Sequence, residues 1–189
     1  MKKVVALMGS PRKQGNTALL MEEVVQEAEK LGAKAQIFYM NGLNLKGCQA
    51  CFACKSNPDC VTCVIKDDAA KILDAIVSAD AVIMATPVYM WDMTAQLKLL
   101  VDRLFCFLNP DYSSKLSPGK KILWAITQGN PDTSRFLPAF EKHGKMLEFL
   151  GFGQNQFLLA GGLRLPGEIR SQGEFLQKAR DMASWLVAD

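Results

Sequence analysis

A chain of 189 residues with 49% hydrophobic and 22% charged residues has the composition of an ordinary globular domain, able to bury about 70% of its unfolded surface. The formal net charge is only +3, and the lysines and arginines are scattered, which argues against a nucleic-acid footprint or a polybasic membrane patch. The apolar run after Met1-Lys2-Lys3 is too short for a signal peptide, and no apolar span is long enough to cross a membrane. The expectation is one cytoplasmic domain over residues 1–189; in that reducing setting, six cysteines point to metal or redox work rather than disulfides.

Val4 to Met8 is a continuous apolar run, as a central parallel strand under two helical layers requires. Gly9, Ser10, Pro11, Gly15 and Asn16 break it, and from Thr17 helical spacing takes over, with Leu20, Val24, Ala28 and Leu31 on one face. Gly32 reads as a helix C-cap, and Ala33 to Met40 as a second strand nearer the sheet edge. Residues 41–65 hold five of the six cysteines and show no period, the mark of a functional insertion. Asp67-Asp68 open a helix carrying Ala69, Ile72, Leu73, Ile76 and Val77. Residues 79–85 form a third strand, residues 93–107 a helix, residues 110–119 a surface loop and residues 121–127 a fourth strand. A helix over about 134–150 stops at Gly151, a fifth strand covers 154–160, and a last helix runs over about 171–187. Five strands alternating with five helices predict an α/β doubly wound parallel sheet, a three-layer sandwich. The flavodoxin-like strand order 2-1-3-4-5 is the most economical layout, with a ligand crevice at the carboxyl ends of the strands.

In such a sheet the loops after strands 1, 3 and 4 meet at one edge. The first, Ser10 to Thr17, aims helix N–H groups, polar side chains and Arg12 at one point, an anion site. The second offers Tyr89, Met90 and Trp91 as an apolar wall; the third, Thr127 to Asn130, offers amides and a glycine to a polar ring edge. A flat heterocycle carrying a phosphate fits that combination. Neither a nucleophile elbow nor paired catalytic carboxylates are present, so no catalytic side chain is assigned.

The Gly9–Thr17 stretch G-S-P-R-K-Q-G-N-T resembles the G-S-x-R-x-x-G/S-N-T loop of the NADPH-dependent FMN reductases and iron–sulfur flavoproteins, a flavodoxin-like group. P-V-Y at 87–89 and T-Q-G-N at 127–130 stand where that group carries its other flavin loops, so the resemblance runs from Met1 to about Asn130. It implies FMN held by Ser10, Arg12, Gly15, Asn16 and Thr17 at the phosphate. The ring would lie against Pro87, Val88, Tyr89, Met90 and Trp91 on one side and Thr127, Gln128 and Gly129 on the other. It also implies NADH or NADPH as co-substrate, a small-molecule or protein electron acceptor, and a homodimer or homotetramer with Met90–Met93 as candidate contact. The flavin would carry the chemistry. The alternative is a non-enzymatic carrier passing electrons between protein partners through FMN and a [4Fe–4S] cluster.

Cys48, Cys51, Cys54, Cys60 and Cys63 read C-x2-C-x2-C-x5-C-x2-C. Three thiolates at that interval can wrap a cubane while a fourth ligand follows. Zinc is the rival, although its sites normally use two pairs separated by a longer segment; free thiols are the third possibility. The compact motif of the iron–sulfur flavoproteins is matched by Cys48, Cys51, Cys54 and Cys60, whereas the flanking C-V-I-K-D-D attaches to Cys63. Spacing thus favours Cys60 as fourth ligand and context favours Cys63. Cys106 is expected to be core packing, Lys98, Asp102 and Arg103 an exposed helical charge cluster, and His143 a solvated residue without a role.

Overall fold

The computed structural model describes residues 1–56 and 61–188. Strands β1 (Lys3–Met8), β2 (Lys34–Tyr39), β3 (Ala81–Pro87), β4 (Lys121–Thr127) and β5 (Gln154–Ala160) form one parallel sheet in the order β2-β1-β3-β4-β5. This is the expected flavodoxin-like layout. Helices are α1 (Asn16–Lys30), α2 (Ala69–Ser78), α3 (Ala95–Val101), α4 (Leu137–Phe149) and α5 (Gly173–Val187). None of the described helices is long and apolar enough to cross a membrane.

The pleat sorts each strand's side chains into two cores. Val4, Ala6, Met8, Ile83, Leu123 and Ala125 pack with α1 and α5, while Val5, Leu7, Val82, Met84, Ile122 and Trp124 pack with α2, α3 and α4. Apolar residues at consecutive positions are required because both faces are covered. The register sets Met8 opposite Ala85, and Thr127 opposite both Pro87 and Ala160. The carboxyl ends therefore finish level, and the loops that follow share one edge.

Three elements differ from the sequence expectation. The helix over 93–107 is α-helical only to Val101; Asp102–Phe107 tightens into a 3-10 turn in which Arg103, Leu104, Cys106 and Phe107 are all buried. α4 begins at Leu137 rather than near 134, because Asp132 Oδ1 accepts from the Ser134 N–H at 3.0 Å and its hydroxyl at 2.6 Å, a local bond that competes with helix. α5 begins at Gly173. Among its described residues the cysteine segment carries only 3-10 turns, at Met40–Gly42 where it begins and at Ala53–Lys55. Asn57, Pro58, Asp59 and Cys60 lie outside the described residues.

Candidate functional site

Four loops at the carboxyl edge enclose a cavity of about 360 Å³. The loop after β1 supplies Ser10, Arg12, Gly15, Asn16 and Thr17; that after β3 supplies Pro87, Val88 and Tyr89; that after β4 supplies Thr127, Gln128 and Gly129. The loop after β5 adds Leu163, Arg164 and Pro166, which were not foreseen. A fifth parallel strand must end at the same edge, so the signal was the topology itself.

The phosphate-type loop approaches the sheet closely. The Gly9 N–H donates to Ala85 O at 2.7 Å, and the Thr94 hydroxyl donates to Gly9 O at 2.8 Å. A Cβ at Gly9 would lie 2.9 Å from Thr94 Oγ1 and 3.0 Å from Ala85 O, so only glycine fits. No side chain caps α1 and no acidic residue occupies its first turn. The first amide of this turn to find a helical acceptor is that of Leu19, bonded to Gly15 O at 3.1 Å. The Asn16, Thr17 and Ala18 N–H groups are left at the positive end of the helix. Arg12 and Arg164, both exposed, make no ion pair among the described residues. The result is a concave site with free donors and two free cations, suited to a phosphate.

Three side chains hold the loops together rather than face a ligand. Asn16 Nδ2 donates to Leu165 O at 2.8 Å, and its Oδ1 accepts from the Ile169 N–H at 3.2 Å, tying the first loop to the fourth. The hydroxyls of Thr17 and Thr127 share a buried 2.6 Å hydrogen bond between first and third loops. Gln128 Nε2 donates to Asn130 O at 2.9 Å and Asp132 O at 2.7 Å, while its buried Oε1 has no partner. An orphaned acceptor on a residue lining the pocket suits a ligand N–H.

Met90 and Trp91 are not part of the lining. The Tyr89 N–H donates to Asp92 O at 2.9 Å and the Asp92 N–H to Tyr89 O at 3.1 Å, closing a two-residue hairpin. Its tip residues have φ of 45° and 68°, left-handed values that bulky side chains seldom adopt. Their side chains therefore point outward, 89% and 60% exposed. Asp92 Oδ1 is held by the Met93 N–H at 2.7 Å and by His143 Nε2 at 2.9 Å. His143, expected to be solvated, is buried at 7% exposure, because α4 packs that position against Trp124 and the turn.

A second cavity, of about 420 Å³, gathers Cys48, Cys51, Cys54, Cys63 and Cys106. Its frame is electrostatic. Arg103, expected on an exposed helix face, is buried and pairs with the equally buried Asp67 at 2.6 Å. Nη1 also donates to Lys46 O at 3.0 Å and Nη2 to Ile65 O at 3.3 Å, so one guanidinium clasps both shoulders of the cysteine segment. Burial pushes the Asp67 carboxyl up, but the Arg103 hydrogen bond and the Lys46 and Ala69 amides outweigh it and hold its pKa below the ordinary value. Lys98 and Asp102 do form an exposed i, i+4 ion pair. Lys55 Nζ donates to Phe105 O and Leu108 O, at 2.5 Å each, and Lys115 Nζ to Cys54 O at 3.2 Å. Cys106 is buried as expected, yet it also faces this cavity; burial and the neighbouring Cys63 and Cys54 push its thiol up to about 12. Cys60 lies outside the described residues. From Thr94 at the first site to Arg103 at the second is roughly 14 Å along the intervening helical rise.

Residues 2–161 match the profile of the NADPH-dependent FMN reductases. The chain belongs to that family. Among its relatives, an iron–sulfur flavoprotein of Archaeoglobus fulgidus is 32% identical over 186 residues, covering 98% of this chain and 79% of that protein. An iron–sulfur flavoprotein of Methanosarcina thermophila is 32% identical over 120 residues, 64% of this chain and 61% of that protein. Against two further relatives of the same name, the chain spans about half the relative's length, 48% and 51%. The fold of this family member matches an NAD(P)H:quinone oxidoreductase from Methanothermobacter marburgensis with TM-score 0.75 at 15% identity, covering 100% and 98% of the two chains. It also matches an FMN-dependent NADH-azoreductase of Bacillus anthracis in complex with FMN, TM-score 0.75 at 13% identity, covering 100% of each chain.

Proposed function

We propose that the protein is an FMN-dependent NAD(P)H oxidoreductase whose flavin sits in the four-loop cavity. The observation that carries this is the convergence of an uncapped α1 N-terminus, the free Arg12 and Arg164 guanidiniums and the orphaned Gln128 Oε1 on one concave site. Those groups fit a phosphate at one end and a ring N–H at the other. FMN, when bound, accepts a hydride from NAD(P)H and passes the electrons to an acceptor.

The chain's own residues bind and orient. The α1 amides, the Ser10 hydroxyl and the two arginines hold the phosphate; Pro87, Val88 and Tyr89 give the ring an apolar floor; Gln128 and Gly129 present its polar edge with partners, on a loop that the Thr17–Thr127 bond holds in place. Tyr89, 44% exposed at the rim, leaves a face open for the nicotinamide nucleotide. A small molecule such as a quinone or free flavin is the proposed acceptor. In a homodimer or homotetramer the outward Met90 and Trp91 would meet a second copy.

The test is a titration with FMN followed by anaerobic mixing with NADH and with NADPH. Arg12→Ala removes a charge-assisted contact worth about 1.5–3 kcal/mol, so FMN should bind roughly 10- to 100-fold more weakly. Unchanged affinity would remove the phosphate assignment. Turnover with a small acceptor alone supports the enzyme; flavin reduction without turnover until a partner protein is added supports an electron carrier instead.

A further inference from the structure

The loops after β3 and β4, which wall the proposed ring site, continue outward and meet again beyond it. Tyr89 and Gly129 line the pocket. Further along the same two loops, the Trp91 ring stands edge-on to that of Phe136, with centroids 5.5 Å apart at 88°. The Arg135 guanidinium lies 5.9 Å from the Trp91 ring centre and 5.7 Å from that of Phe136. Trp91 still keeps 60% of its surface open to solvent. Arg135 is exposed and makes no ion pair among the described residues; the Asp132 carboxylate, whose Oδ1 is taken by Ser134, bears on it through charge. The turn that presents Trp91 is costlier than a turn needs to be. A two-residue hairpin is served by Asn-Gly, which takes left-handed φ readily, whereas Met90 and Trp91 are held at 45° and 68°. Such strain persists where surrounding bonds over-determine it, and it clusters at functional sites. Here Tyr89 and Asp92 exchange two backbone bonds, and Asp92 Oδ1 is clamped by the Met93 N–H and His143 Nε2. The clamp fixes an aromatic ring in solvent, beside a cation, next to the rim of the pocket.

We propose that Trp91 and Arg135 form the subsite for the adenosine end of the reducing nucleotide, Trp91 stacking on its base and Arg135 pairing with a 2′-phosphate. The inference rests on the flavin reading above, in which the nicotinamide end lies at Tyr89. An aromatic face takes a base by stacking, and a guanidinium takes a phosphate through two parallel hydrogen bonds. The phosphorylated adenosine of NADPH carries both groups on one ribose. NADH offers only the base and a hydroxyl at that end, so the same subsite separates the two nucleotides by charge. A guanidinium near the ribose is also how dinucleotide sites generally accommodate a 2′-phosphate. Met90, 89% exposed at the other tip position, has no such cation over it among the described residues and is left to a second copy.

The experiment titrates full-length, FMN-loaded protein calorimetrically with adenosine 2′,5′-bisphosphate and with 5′-AMP, which share the base and differ at the 2′ position. The wild type should bind the bisphosphate more tightly. Arg135→Gln should weaken the bisphosphate by about tenfold or more and leave 5′-AMP within about twofold. Trp91→Leu should weaken both probes by about fivefold or more, and Trp91→Phe, which keeps a ring face, should recover most of that loss. FMN affinity within about twofold of wild type in each variant shows that the domain is folded and the flavin pocket intact. Equal losses of the two probes in Arg135→Gln, or unchanged binding in Trp91→Leu, overturns the proposal. So does a wild type that binds neither probe, the result expected if a second copy covers the whole turn. Protein that takes up no FMN sinks the flavin reading and this inference with it; FMN-loaded protein that binds neither probe sinks this inference alone.

Discussion

The four-loop pocket lies at the carboxyl edge of the sheet and the cysteine cavity beside the 3-10 turn at Asp102–Phe107, and the two are held by different forces. In the pocket, the ligand-facing groups of the β1, β3 and β4 loops belong to strand ends, to the residues just beyond them or to the first turn of α1. Their positions follow from a buried sheet whose strands finish level. In the cavity, Cys48, Cys51 and Cys63 belong to no regular element, and the walls are pinned by the side chains of Arg103, Lys55 and Lys115 reaching to backbone oxygens. A site built on strand ends inherits its rigidity from the core. One built on irregular chain must import rigidity from buried charges, and then depends on each of them singly.

The largest effect should come from the charge that the second region cannot lose. Asp67→Ala leaves the Arg103 guanidinium buried without its partner, which costs about 3–5 kcal/mol. Urea denaturation should show that loss, while FMN affinity stays within a few-fold because none of the pocket loops uses the pair. FMN binding that weakens as much as in Arg12→Ala would mean that the two regions are not separately built. The pH dependence has a definite sign. A carboxyl depressed in the folded state stabilises above its ordinary pKa, so the Asp67 contribution is complete at neutral pH and disappears as pH falls below 3.8 through the depressed value.

A smaller effect should follow at the pocket from Gly9→Ala. The added Cβ meets Thr94 Oγ1, Ala85 O and Leu97 Cβ at 2.9–3.0 Å, and overpacking of this kind costs about 1–3 kcal/mol. FMN affinity should fall with it, while the rate at which a thiol reagent modifies Cys48 and Cys51, both exposed, is unchanged. Altered thiol reactivity would show strain passing along α3 from Thr94 to the cysteine cavity.

The smallest effect is expected for His143→Gln, which removes the bond to Asp92 Oδ1. Stability should drop by about 0.5–1.5 kcal/mol. Because the turn that carries Met90 and Trp91 stands outside the pocket lining, FMN affinity should hold. A matching loss of FMN affinity would place the turn against the flavin after all.

Most of the architecture was legible along the chain because it rests on short-range regularities. Consecutive apolar residues at Val4–Met8 announced a strand covered on both faces, and the switch at Thr17 to a helical period announced what followed. Three ligand loops could be named because each directly follows such a strand. The fourth escaped notice although Gly161 to Gly167 follows β5 in the same way; its Leu163, Arg164 and Pro166 carry no motif of their own.

What the sequence by itself determined was therefore the period of each element, the strand order those periods imply, and the residue types placed at the carboxyl edge, since each depends on neighbours a few positions away. Tertiary structure alone decided the fates of Asn16, His143 and Arg103, whose partners lie 149, 51 and 36 residues distant. An exposed i, i+4 pair and a buried clasp look alike in the pattern K-x-x-x-D-R. Lys98 and Asp102 became the first and Arg103 the second, because the chain tightens into a 3-10 turn at Asp102 and carries the last residue inward beneath the cysteine segment. The desolvation of a charge is set by everything that packs around it, and no local stretch of sequence contains that information.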